Sequence, residues 1–476
     1  MKFDRATMTH EQRRQLFDVD KTICLGYGID LLQSFSEVSP EFPEVEVWGS
    51  QRERSGHSLV VGATGSGKTV LLSNLCKQDI LANHRIVYVD PKGDTDLYKN
   101  FVSYAKMVDR FNPETFLFLS PMYLDYSIEL NPLWGLDPDE AAVVLVSAIP
   151  DGREPFFKKV AFMILLAILL ALGSKKRPEG WYPSIQEVAE YFTHEKLRQL
   201  RDFVEKELKN LSSVPGSSSE KLSLYASDAS LVLDHLTSTG EDYFEKIAMT
   251  LKAEIDVITT GAIGQIIGRA KSNRLVQNLI ENKDVIFLAY LGALRFGDEI
   301  VGRASRMIFS SIQRLTGRMY QHFQKFDPPL AVYGDEAKNL FYDGIEDLFN
   351  KVRGAKVMLT FATQSLGDIV AALGPDKTKS IIGNTNIQIF MRATDDATMK
   401  YVQETSEEVF VYRPNFLQHS IGLNQIRQKA ILGPYLKKLR TGSFYAVVYG
   451  DWYRLYSPFE PVPASLDFDP FKVFCE

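Results

Sequence analysis

The feature that most constrains this chain is the stretch Leu59–Thr69, LVVGATGSGKT. Leu59, Val60 and Val61 read as a short buried strand that runs straight into Gly62, Ala63, Thr64, Gly65, Ser66, Gly67, Lys68 and Thr69. This run fits the phosphate-loop pattern G-x-x-x-x-G-K-[ST], and an apolar helix start (Val70, Leu71, Leu72, Leu75) follows at once. Glycines let consecutive backbone N–H groups converge on phosphate oxygens, and the positive end of the following helix adds to the same field. Lys68 is placed to reach the β- and γ-phosphates of ATP, and the Thr69 hydroxyl to ligate Mg2+. The expected nucleotide-binding residues are Gly62 to Val70 without a gap.

A chain of 476 residues has room for two or three domains. With 45% hydrophobic and 24% charged residues it has the composition of an ordinary globular protein. The net charge of −6 exerts no global pull toward nucleic acid, although a local basic channel would survive that balance. Cys24, Cys76 and Cys475 lie far apart, which argues against a disulfide framework or a cysteine-rich zinc site. The histidines are scattered, and neither H-E-x-x-H nor G-x-S-x-G occurs. The N-terminus carries charges throughout and does not read as a signal peptide. The most apolar run, Ala161–Leu172, is about a dozen residues long, short of the ~20 needed to span a membrane. A buried core helix is expected there, and no transmembrane segment.

Residues 1–45 read as a loosely structured leader with a weak helix near Glu11–Phe17. Arg85–Asp90 (RIVYVD) is expected as a buried parallel strand ending in the turn Asp90–Asp94, at the sheet edge where ligands bind. Thr115–Leu119 and Ile128–Leu130 read as strands. From Asp137 to Leu275 the pattern is helical, including a single helix over Glu241–Arg269, with one flexible break at Ser212–Ser219. Strand patterning resumes at Asp284–Leu291, Pro329–Tyr333, Val357–Thr363 and Ile387–Met391, and in a pair around Ser443–Tyr449 and Trp452–Tyr456. The expected division is a leader (1–45), an α/β nucleotide-binding domain (46–136 and 276–476) and an inserted all-α domain (137–275).

The strand at Pro329–Tyr333 leads to Gly334-Asp335-Glu336. Asp335 is expected to hold the Mg2+ shell and Glu336 to polarise the attacking water. Gln364, at the tip of the next strand, is the candidate for touching the γ-phosphate, while Ser365 suits an N-cap. Arg353 precedes that strand. An arginine from a neighbouring subunit is a common source of compensation for charge developing on the γ-phosphoryl group. The candidate catalytic residues are thus Lys68, Glu336, Gln364 and Arg353, and the metal ligands Thr69 and Asp335.

GATGSGKT, VYVDPKGD, NPLWG, LAVYGDEAKNL and VRGAKVMLTFATQSLGDI occur in that order. Together they resemble the type IV secretion coupling ATPases, the TraD/TraG conjugation motors of the FtsK–HerA class, over about residues 50–455. The resemblance implies a RecA-like P-loop motor with a mostly parallel central sheet, interrupted by an all-α domain. It further implies a homo-hexamer that hydrolyses ATP between subunits and moves DNA, single- or double-stranded, through a central pore. Arg353 matches the family's Arg-Gly before the sensor strand, and Asp94 stands where many relatives have Glu. The implied partners are relaxosome and secretion-channel proteins. Family members usually carry N-terminal transmembrane helices and none is read here, which leaves a soluble variant recruited by a membrane partner or a chain trimmed to its cytosolic part; a cytoplasmic location at the inner face of the membrane, through partners, is expected. A receptor for protein effectors and a HerA-like DNA-processing ATPase remain as alternatives.

Overall fold

Strands that are apolar at every position can only be stable where both faces are covered, and several runs here have that character. In the computed structural model they form the centre of a sheet. The structure describes residues 23–31, 44–150, 155–175, 181–211, 217–238, 241–417 and 420–457. The strands in chain order are β1 (Ile23–Asp30), β2 (Val45–Gly49), β3 (Ser58–Val61), β4 (Arg85–Asp90), β5 (Phe116–Leu119), β6 (Ile286–Tyr290), β7 (Leu330–Gly334) and β8 (Val357–Thr363). They continue with β9 (Ile387–Phe390), β10 (Glu408–Leu417), β11 (Ser420–Lys429), β12 (Ser443–Val448) and β13 (Asp451–Tyr456).

The chain divides into two compact units, one of residues 1–88, 95–112 and 325–476, the other of 89–94 and 113–324. In the first, the strand order is β2-β1-β13-β12-β9-β3-β8-β7-β4. β9, β3, β8 and β7 run parallel, whereas β12 pairs antiparallel with β9 and begins an antiparallel edge through β13, β1 and β2. Every residue of β3, β7 and β8 is buried. β10 and β11 form a separate two-stranded hairpin. The second unit holds the parallel pair β5–β6 and a set of helices.

The fold is a mostly parallel α/β sheet with helices between its strands, as expected, but several local expectations need correction. β1 lies inside the stretch read as leader; its sequence ICLGYGID carries glycines, which are depleted in strands, so its strand signal is weak. The helix expected near Glu11–Phe17 lies outside the described residues, as does most of the break at Ser212–Ser219. Ile128–Leu130 forms no strand. Its amides go to different partners, Ile128 to the Phe118 carbonyl and Leu130 to that of Ile266, so no ladder grows beyond the single bridge Leu130–Asn273. The helix expected over Glu241–Arg269 ends at Thr259, because Thr260 turns extended (φ −106°, ψ 164°), and a five-residue π turn follows at Gly264–Gly268.

The apolar run sits in the 19-residue helix Pro155–Gly173, longer than the run itself. Its window Phe156–Gly173 is apolar and long enough to cross a membrane by length and composition, yet half of it is buried inside the protein. It packs against the helices Pro138–Ser147 and Ser217–Ser238 of the same unit.

Two buried polar groups brace the first unit. Arg54 meets Asp79 through both carboxylate oxygens, and the Tyr333 hydroxyl donates to the same carboxylate at 2.5 Å. Burial alone would raise the Asp79 carboxyl. The Arg54 charge and the hydrogen bonds from His84 and Arg54 outweigh it and hold the group well below the usual carboxylate range. His57 is 1% exposed, accepts the Leu359 amide on Nδ1 at 3.3 Å and meets Phe349 edge-on. Its role is structural. Burial, with a smaller push from the Arg353 charge, lowers it from 6.5 to about 4. The folded protein therefore binds this proton less readily than the unfolded chain. The resulting stability is present above pH 6.5 and is lost as pH falls toward 4, on the order of 3 kcal/mol in all. His57→Asn, which tolerates the left-handed backbone (φ 63°), should show a flatter dependence of unfolding free energy on pH across that window. Denaturant titrations of both proteins between pH 4 and 7 check this; parallel profiles would refute it.

Candidate functional site

Parallel strands end at one edge, and the register decides what meets there. Val61 lies opposite Thr363 of β8 on one side and Phe390 of β9 on the other. Gly334 of β7 lies opposite Phe361. The phosphate loop after β3, Asp335 and Glu336 after β7, and Gln364 after β8 therefore leave the sheet side by side.

The loop itself is shaped by where its carbonyls go. Lys68 Nζ donates to the Gly62 and Ala63 carbonyls at 2.6 and 3.3 Å. Arg392 Nη2 donates to that of Thr64 at 3.1 Å and Thr441 Oγ1 to that of Gly65 at 3.2 Å. The Gly442 amide takes the Ser66 carbonyl at 2.9 Å, and the Leu71 amide takes that of Gly67 at 3.0 Å. These bonds occupy the carbonyls of the loop, and its remaining polar groups include the N–H donors at the helix end. Those of Lys68, Thr69 and Val70 precede the first intrahelical bond and have no partner within the helix. This is the geometry of an anion-binding nest at a helix N-terminus.

Two glycines are required by this packing. A Cβ on Gly62 would sit 2.7 Å from Met391 Cβ and Ser66 Oγ. Gly67 caps the 14-residue helix Lys68–Leu81 in the left-handed region (φ 101°). Ser66 is buried against Met391, and Val70 is partly exposed on the first turn of the helix.

The acidic side closes on the loop through hydrogen bonds. Thr69 Oγ1 donates to Asp335 Oδ2 at 2.9 Å. Asp335, 1% exposed, accepts the Glu336 amide on its other oxygen at 2.9 Å. Gln364 Nε2 donates to Glu336 Oε2 at 3.0 Å. Glu336 is held in the left-handed region (φ 51°), a conformation that costs a residue with a Cβ about 1–2 kcal/mol and that clusters at functional sites. A hydroxyl and a carboxylate in contact beside a nest of N–H groups form a donor set suited to Mg2+ and a polyphosphate. Ser365 accepts the Asp368 amide and caps the next helix, as its sequence position suggests.

Arg353 stands apart from this cluster. It is exposed on the 3-10 turn Val352–Ala355, at the amino end of β8. The seven residues of β8, at roughly 3.3 Å each, put it more than about 20 Å from Gln364. It cannot reach the phosphate loop of its own chain. In the second unit the Asp90 carboxylate accepts the Lys92 and Asp94 amides at 3.0 and 2.6 Å, so Asp90 shapes its own turn. Arg392, Thr441 and Gly442 were not legible as loop partners. Their positions after β9 and before β12 acquire meaning only once those strands are seen to lie beside β3.

Residues 329–408 match the family model described as the TraM recognition site of TraD and TraG, and residues 39–150 match that of an AAA-like domain. The type 4 coupling protein DotL of Legionella pneumophila is 35% identical over 65 residues, which span 14% of this chain and 8% of that protein's length. The bacterial conjugative coupling protein TrwB, in its unbound TrwBdeltaN70 form, aligns with a TM-score of 0.62 at 17% identity, covering 87% of this chain and 88% of its own. TrwB in complex with ADP and Mg2+ aligns with a TM-score of 0.61 at 17% identity, covering 88% of each chain. The chain has the fold of the conjugative coupling protein TrwB, and its matched segments resemble the type IV coupling proteins of TraD and TraG type.

Proposed function

We propose that this chain is an ATP-hydrolysing coupling protein that delivers DNA, as a nucleoprotein, to a type IV secretion or conjugation channel. The observation that carries the reading is the closed cluster in which Thr69 meets Asp335 and Glu336 meets Gln364 on the rim of the phosphate loop. A nest with a lysine alone binds anions; a nest beside a buried carboxylate pair has the means to hydrolyse what it binds. TrwB, solved with ADP and Mg2+, shares the fold, which supports the same ligands here.

In this reading residues Gly62 to Val70 form the nucleotide-binding loop, the amides at its helix end (Lys68, Thr69 and Val70) hold the phosphates, and Lys68 exchanges its carbonyl partners for β- and γ-phosphate oxygens. Thr69 and Asp335 hold Mg2+, which when bound offsets phosphate charge. Glu336 accepts the proton of the attacking water, and Gln364, already bonded to Glu336, orients that carboxylate toward the terminal phosphate. Arg353, on the opposite edge of its own sheet, serves the site of the next subunit in a homo-hexamer. The motor comprises residues 46–136 and 276–476 together with β1 from within residues 1–45, and the all-α domain residues 137–275. Relaxosome and secretion-channel proteins are the partners, and a membrane partner holds the cytoplasmic chain at the inner face of the membrane.

Lys68→Ala and Glu336→Gln should each lower ATP turnover by roughly a hundredfold or more, Glu336→Gln while still binding ATP. Steady-state turnover with a nucleotide-binding assay checks both, and wild-type turnover in either variant would remove that residue from the site. Mixing Arg353→Ala with Lys68→Ala subunits, each inactive alone, should restore part of the activity. No recovery in proven mixed assemblies would place Arg353 outside the chemistry.

The deciding experiment is turnover of the purified protein with and without single- or double-stranded DNA, at low and moderate salt, because phosphate contacts weaken steeply as salt rises. Stimulation by DNA that vanishes in Lys68→Ala is the expected result. Turnover indifferent to DNA in assembled protein would replace the DNA motor with a receptor for protein substrates.

A further inference from the structure

The phosphate loop has a second cation beside Lys68. Arg392, just past β9, is bound to the loop twice: its carbonyl accepts the Ala63 amide at 2.7 Å, and its Nη2 donates to the Thr64 carbonyl at 3.1 Å. The guanidinium also lies 3.6 Å from where a Cβ on Gly65 would stand. Lys68 Nζ, tied to the carbonyls of Gly62 and Ala63, marks the end of the loop where β- and γ-phosphates bind. Arg392 therefore shares Ala63 with Lys68, on the β9 side of the loop, across β3 from Asp335, Glu336 and Gln364. It is half-buried, and its one side-chain hydrogen bond among the described residues is that to Thr64. A guanidinium has five N–H donors in a fixed fork, so most of them remain available to an anion.

We propose that Arg392 binds the terminal phosphate of the nucleotide from within the same chain and so sets the preference for a triphosphate over a diphosphate. This rests on the phosphate-loop reading above and deepens it. The terminal phosphate carries charge that ADP lacks, and a guanidinium anchored beside it forms charge-assisted hydrogen bonds that a diphosphate cannot use. Such a contact is distinct from a trans arginine, because it acts on binding in a single chain.

The test is the affinity of wild type, Arg392→Ala and Arg392→Lys for a non-hydrolysable ATP analogue and for ADP, each with Mg2+, alongside the melting temperature of each protein without nucleotide. Arg392→Ala should weaken analogue binding about tenfold and ADP binding less than about threefold, with an unchanged melting temperature. Arg392→Lys, which keeps the charge without the fork, should fall between. Equal weakening for both nucleotides, or none for either, overturns the assignment of Arg392 and leaves the phosphate loop standing. Wild type that binds neither nucleotide, or Lys68→Ala that binds both as tightly as wild type, overturns the phosphate-loop reading and this inference with it.

Discussion

The parallel register of β9, β3, β8 and β7 is the constraint on which the site depends. Val61 is flanked by Thr363 and Phe390, so the three chains leave the sheet at the same height. The ladder continues past the formal strand ends: the Gly62 amide reaches the Thr363 carbonyl, and the Ala63 amide that of Arg392. The first residues of the phosphate loop are therefore still part of the sheet. A slip of one residue would turn each strand's side chains to the opposite face, and with all of β3, β7 and β8 buried no alternative register would expose less apolar surface.

The helix that follows the loop is fastened to β7 near both of its ends. Thr69 meets Asp335 in its first turn, and Asp79 meets Tyr333 in its last. Arg54, from the short helix before β3, completes the second point. A buried ion pair of this kind adds little stability compared with apolar packing, but losing one partner strands the other charge. Its use here is positional: it fixes the distance between the helix that carries the phosphate-binding amides and the strand that carries the acids.

The parallel core was legible because its evidence is local. A strand that is buried on both faces reads as a predominantly apolar run, and Ser58–Val61, Leu330–Gly334 and Val357–Thr363 all do. The contacts Thr69–Asp335 and Glu336–Gln364 agree with residues singled out by sequence position, though their chemical roles rest on the proposed function. What escaped is non-local. β1 is held by pairing with β2 and β13, whose sequence partners lie over four hundred residues apart in the case Tyr27 and Tyr456. The β10–β11 hairpin, with ten paired positions, carries no Asn-Gly type pair in the sequence between Leu417 and Ser420, the signal that marks tight hairpins. Arg392 and Thr441 became visible only through the loop they touch.

The tether of Lys68 to the Gly62 and Ala63 carbonyls bears on how a ligand is received. This ammonium is 5% exposed and already solvated by protein oxygens rather than by bulk water. Stripping water from a cation is the dominant cost of bringing it to a buried partner. Here that dehydration is completed when the chain folds. An arriving phosphate has to displace peptide dipoles that are held in place around the ammonium, not a mobile hydration shell, so this cation is oriented before anything enters the loop.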